Sequence, residues 1–77
     1  MPEPPPVSVA FARNLRRLRA DQQWKQQELA GEAGVSTATV SAAENGQGLH
    51  LESAARLARA LGVSLDEMLK TGTEAAP

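Results

Sequence analysis

Three glycines, Gly34, Gly46 and Gly62, stand where an Ala- and Leu-rich sequence of helical spacing breaks off. Glycine takes the left-handed backbone that closes a helix at little steric cost. Between these stops the apolar residues recur three and four apart, and no sustained two-residue alternation appears. The chain therefore reads as all-α, a series of short helices that must bury their apolar faces on one another. A chain of 77 residues is one small domain, and it buries only about 60% of the surface it exposes when unfolded. It has no cysteine, so no disulfide or thiolate metal site supplements that core. Such a chain leans on well-matched helix packing or on a second subunit.

Five helices are expected. Helix 1 runs from Ser8, read as the N-cap, to Ala20, with Phe11, Leu15 and Leu18 on one apolar stripe. Arg13, Arg16 and Arg17 lie off that stripe, and Asp21-Gln22-Gln23 breaks the pattern. Helix 2 covers 26–33 with Leu29 and Ala33 inward. Ser36 caps helix 3, residues 37–44, with Val40 inward, and Asn45-Gly46 stops it. Helix 4 covers 51–61, with Leu51, Ala54, Ala55, Leu57, Ala58 and Leu61 available for packing. Ser64-Leu65-Asp66-Glu67 is a capping-box pattern that opens a short helix 5. Residues 1–7 hold four of the five prolines and are expected to form an extended arm. Residues 71–77 read as a small polar tail, leaving 8–70 as the folded domain.

Eight Lys+Arg against nine Asp+Glu give a net charge of −1. That balance removes the simplest argument for nucleic acid, a strongly basic chain, but where the charges sit matters more than their sum. No Lys or Arg lies between Lys25 and Arg56, a stretch that holds Glu28, Glu32, Glu44 and Glu52. No apolar run approaches the roughly 20 residues of a membrane span. The N-terminus has neither the basic nor the apolar region of a secretory signal. The lack of cysteine fits a cytoplasmic protein. One His and no Tyr or Cys is a poor kit for catalysis, so neither an enzyme nor a cofactor or metal site is expected. Ser41 and Ser53 have no His or Lys partner at a useful spacing. His50 reads as a loop residue or the N-cap of helix 4, and Trp24 as a core residue behind helix 1.

Residues 26–45, QQELAGEAGVSTATVSAAEN, resemble the helix-turn-helix of the phage-repressor and Cro family, also called the Xre family. Ala30 is small where the two helices cross, and Gly34 opens the turn. Leu29, Ala33, Val35, Val40 and Ala43 are the apolar positions that lock the pair. FARNLRRLRADQQW is similar to the family's first helix and following loop, and ESAARLARALGVSLDEML to its closing segments. The resemblance implies a compact five-helix domain like that of lambda repressor, with the helix-turn-helix at helices 2 and 3. It also implies an ion pair between Arg19 and Glu44, against the plainer reading of Arg19 as a solvated helix charge. Three positions depart from the pattern. Gln23 stands where the family has Gly, and Lys25 where it has a Ser or Thr cap. The loop from Gly46 to His50 is one residue short of the commonest form.

By the same resemblance helix 3 enters the major groove of double-stranded DNA. Thr37, Ala38, Ser41 and Ala42 are then the base-reading set. Thr39 and Asn45 fall where the family touches phosphate, and Gln26 where it touches backbone and an outer base. Lys25, Gln27, Ser36 and Arg13 complete the expected backbone-contacting set. The plainer reading of Ser36, Thr37 and Thr39 is that they only start a helix. Family members bind two-fold operators as dimers, and Leu49, Leu65, Met68 and Leu69 are the candidate dimer surface. Two functions follow: a DNA-binding transcriptional regulator, in particular a repressor acting as a homodimer, or an antitoxin or adaptor with a toxin or other protein partner and weak, autoregulatory DNA binding.

Overall fold

The computed structural model describes residues 6–71, so residues 1–5 of the expected arm and residues 72–77 of the expected tail lie outside the described residues. The first helix, α1 (Val7–Asp21), begins before the expected cap. Pro6 takes the N-cap position with φ −55°, and its carbonyl accepts from the N–H groups of Val9 and Ala10. Proline holds that backbone angle by its ring, so Ser8 lies inside the first turn and Val7 belongs to the helix, not to the arm. α2 (Gln26–Ala33) and α3 (Thr37–Glu44) follow within the expected bounds. α4 (Leu51–Ala60) ends one residue early, with Leu61 as its C-cap, and α5 (Leu65–Met68) is a single turn. No strand occurs among the described residues.

The core draws on every helix. Phe11 and Leu15 of α1, Leu29 of α2, Val40 of α3, Leu57 of α4 and Met68 of α5 are almost wholly buried. Ala30, Ala33 and Ala43 are buried where α2 and α3 meet, and their small side chains let the two backbones approach. Leu18, Trp24, Val35, Leu49 and Leu65 pack half-buried around this centre. Two expectations change. Met68 has no exposed surface, so it closes the core and cannot serve a dimer face. Leu51, read as available for packing, is 73% exposed at the start of α4.

A one-turn helix is unstable alone, because nucleating it orders several residues for one hydrogen bond. Three contacts hold α5. Ser64 Oγ accepts from Glu67 N–H at 3.1 Å while Glu67 Oε1 accepts from Ser64 N–H at 3.3 Å. Met68 anchors the turn in the core. From the far side the buried Asn14 of α1 donates its side-chain amide to the carbonyls of Met68 and Lys70, each at 2.9 Å. The last carbonyls of a helix have no partner within it, and Asn14 supplies one across 54 residues of sequence.

The loop from α1 to α2 carries a non-glycine residue at positive φ: Gln23, at 60°. Left-handed backbone brings an L residue's Cβ against its own carbonyl, at roughly 1–2 kcal/mol. Gln23→Gly is expected to raise stability by about 1 kcal/mol, a rise of about 4–8 °C in melting temperature for a domain this small. Asn14→Ala is expected to lower stability by about 2 kcal/mol, because buried carbonyls lose their donor. Thermal and urea unfolding of both variants would check the two signs.

Candidate nucleic-acid interface

The helix-turn-helix is set by its turn. α2 closes on Gly34, at φ 73° and ψ 33°, whose N–H donates to the carbonyl of Ala30. Ser36 then caps α3, its hydroxyl accepting from Thr39 N–H at 3.0 Å. The Ser36 and Thr39 hydroxyls also bond to each other at 2.9 Å. Arg56 of α4 braces the turn from behind, donating to the Gly34 carbonyl at 3.2 Å and pairing with Glu52 at 2.8 Å. α2 starts without a side-chain cap. Lys25 holds the N-cap position, and its backbone N–H donates to the Glu28 carboxylate at 2.8 Å, half of a capping box.

The far end of α3 is fixed by Glu44, whose side chain is 4% exposed. Arg19 of α1 meets it two-pronged, Nε to Oε2 at 2.5 Å and Nη2 to Oε1 at 3.0 Å. Arg19 Nη1 also donates to the Trp24 carbonyl at 2.8 Å, tying down the loop that leads into α2. Gln26, the first residue of α2, donates Nε2 to Glu44 Oε1 at 3.0 Å. Arg16 reaches the backbone carbonyl of Glu44. Burial works against the ionised form of Glu44, but the hydrogen bonds from Arg19 and Gln26 and the charges of Arg19 and Arg16 outweigh it. The carboxyl is held below its ordinary range.

The residues of the expected reading set share the outward side of α3. Thr37 and Ala38 are exposed, and Ser41 and Ala42 are half-buried. Among the described residues no hydrogen bond engages the side chain of Thr37 or Ser41. Of the expected backbone-contacting set, Arg13, Lys25, Gln27, Ser36 and Asn45 are exposed and Thr39 and Gln26 half-buried. Thr39 and Gln26 are also engaged within the fold, the first with Ser36 and the second with Glu44. Sequence reasoning missed Arg16 at the Glu44 carbonyl and Arg56 at the Gly34 carbonyl. Only the spacing of Arg16 from Arg19, three residues and hence one helix face, signalled the first.

A family model described as helix-turn-helix matches residues 15–68. The chain belongs to the Xre-type helix-turn-helix family. That family is one of DNA-binding regulators rather than of enzymes. Among solved structures, a hypothetical transcription factor, NHTF from Neisseria, superposes with a TM-score of 0.81 at 32% identity, over 88% of this chain and 78% of that one. The restriction-modification controller protein C.AhdI from Aeromonas hydrophila gives 0.73 at 32% identity, over 79% of this chain and 94% of that one. Hydroxypropylphosphonic acid epoxidase from S. wedmorenis gives 0.71 at 34% identity over 82% of this chain, but only 34% of the epoxidase is covered. The likeness to that enzyme is thus a likeness to one part of a longer chain. No curated protein matches the sequence. Among the described residues no helix is long and apolar enough to cross a membrane.

Glu44→Gln leaves the Arg19 guanidinium without a carboxylate and is expected to cost about 3 kcal/mol at neutral pH. A carboxyl more acidic in the folded than in the unfolded chain adds stability above its ordinary value of 4.5. It loses that stability as the pH falls through the folded value. The gap between the parent protein and Glu44→Gln should therefore narrow below about pH 4.5. Urea unfolding in a pH series measures it, and a gap unchanged down to pH 2 would refute the assignment.

Proposed function

We propose that this chain is a sequence-specific, double-stranded DNA-binding transcriptional regulator that acts as a repressor. In this reading it binds a two-fold operator as a homodimer with α3 in the major groove. One observation carries it: α3 is pinned at both ends, by Ser36 and by Glu44, while Thr37 and Ala38 on its outward side are exposed and the Thr37 and Ser41 hydroxyls are not engaged within the fold. A rigid element with an unengaged face is what base reading requires. Thr37, Ala38, Ser41 and Ala42 then face base edges, and the free N–H groups that open α2 and α3 receive phosphates. The similarity to NHTF and to C.AhdI, a controller protein, supports a regulatory role for a domain of this size. The homodimer is supported by the apolar groove formed by Val7, Leu49, Leu51, Leu65 and Leu69, all at least partly exposed on one side of the domain.

The charge distribution sets the character of binding. Three of the eight basic side chains, Arg16, Arg19 and Arg56, already serve internal carbonyls or carboxylates. Arg13, Arg17, Lys25, Arg59 and Lys70 remain exposed, few of them near α3 as sources of phosphate contacts. Few counterions are then released on binding, and the salt dependence is shallow.

Selection from random duplexes followed by sequencing is expected to recover a two-fold motif, and no enrichment at moderate salt would overturn the reading. On the recovered operator the slope of log K against log[salt] should imply fewer than about eight phosphate contacts per subunit. Substituting Thr37 or Ala42 should change base preference; a uniform loss across sequences would mean that the reading face lies elsewhere.

A further inference from the structure

We propose that α3 recognises pyrimidines by their C5-methyl group, accepting thymine and 5-methylcytosine at the same position, so that the protein reads cytosine methylation within its operator. The inference rests on the DNA-reading function proposed above and names the chemistry that α3 selects.

The polar groups able to read a base in two-pronged fashion are absent from α3 itself; Lys25, Gln27 and Asn45 are exposed only at the flanks, before α3 or at its C-cap. Such reading of guanine or adenine uses Arg, Lys, Asn or Gln, and α3, TATVSAAE, has none. The side chains of those types that pack behind it face inward to the anchor. Arg19 and Gln26 both end on the Glu44 carboxylate, and Arg16 on its carbonyl. The hydroxyls of Ser36 and Thr39 bond to each other. What the outward face offers is two free hydroxyls, on Thr37 and Ser41, beside the methyl groups of Thr37, Ala38 and Ala42.

That combination selects one feature of the groove. In the major groove an Ala or Thr methyl packs against the C5-methyl of thymine. Position 4 of the same base is an acceptor oxygen in thymine and a donor amino group in 5-methylcytosine. A hydroxyl both donates and accepts, so Thr37 or Ser41 satisfies either. The hydroxyls thus leave the two methylated bases undistinguished, while the methyl contacts separate both from cytosine. Ala38 and Ala42 stand one turn apart, with Cβ atoms about 5–6 Å from each other. That lies between one and two base steps of roughly 3.4 Å. The two alanines therefore address methyl groups within three consecutive base pairs.

The test uses the whole protein and the operator recovered by selection. Each thymine is replaced in turn by deoxyuridine, which removes only the methyl. Binding should weaken about fourfold at one or two positions per half-site, the worth of one buried methyl-sized group. At those positions a 5-methylcytosine–guanine pair should bind within about twofold of thymine–adenine, and unmethylated cytosine should bind no better than deoxyuridine. Ala38→Gly and Ala42→Gly, confirmed folded by circular dichroism, should each abolish the methyl dependence at one position and leave it at the other. An operator bound equally well with deoxyuridine throughout, or 5-methylcytosine bound no better than cytosine, overturns the inference and leaves DNA reading intact. Failure to recover any operator overturns both.

Discussion

One carboxylate organises the domain. Glu44 ends α3, and it takes hydrogen bonds from Arg19 of α1 and Gln26 of α2 while its own carbonyl receives Arg16. α1, α2 and α3 are thereby tied to one residue. Apolar packing alone would leave that placement loose, since α2 and α3 meet through alanines, which pack without directional preference. A two-pronged guanidinium–carboxylate pair has direction as well as strength. It sets the angle at which α3 leaves the core, and through the Trp24 carbonyl it also fixes the loop that delivers α2.

In the reading proposed above, a chain of net charge −1 presents α3 to DNA. Arg16, Arg19 and Arg56 each donate to a carbonyl or carboxylate of the helix-turn-helix. The outward face of α3 is small, neutral and hydroxyl-bearing. Three of the eight basic residues thus serve the fold, and Arg13, Arg17, Lys25, Arg59 and Lys70 remain exposed.

Much of this was legible in the sequence, for identifiable reasons. The bounds of α2 and α3 follow from strong local signals, Gly34 at the turn, Ser36 as cap and Asn45-Gly46 as stop, and local signals survive folding. Gln23 announces itself as the wrong residue for its loop, and it takes positive φ. The errors fall where a distant contact decides. Ser8 is a good cap by type, but Pro6 starts the helix earlier. Met68 and Leu69 look alike on paper, and only the packing of a one-turn helix decides which points inward. Nothing in the neighbourhood of Asn14 reveals a partner more than fifty residues away. For the outward face of α3 the sequence told which residues lie there, but not that Gln26 is turned toward Glu44.

Asn14 grips α5 by backbone carbonyls, and every residue type has one. The grip itself is therefore indifferent to which side chains α5 carries, while Met68 in the core and the Ser64–Glu67 capping box hold the turn from its own side. Leu69, exposed at the end of the turn, can drift, exchange size or acquire charge without loosening that grip. For the homodimer proposed above, duplicated copies of such a chain could become insulated from one another by a few substitutions beside this turn while keeping the same scaffold.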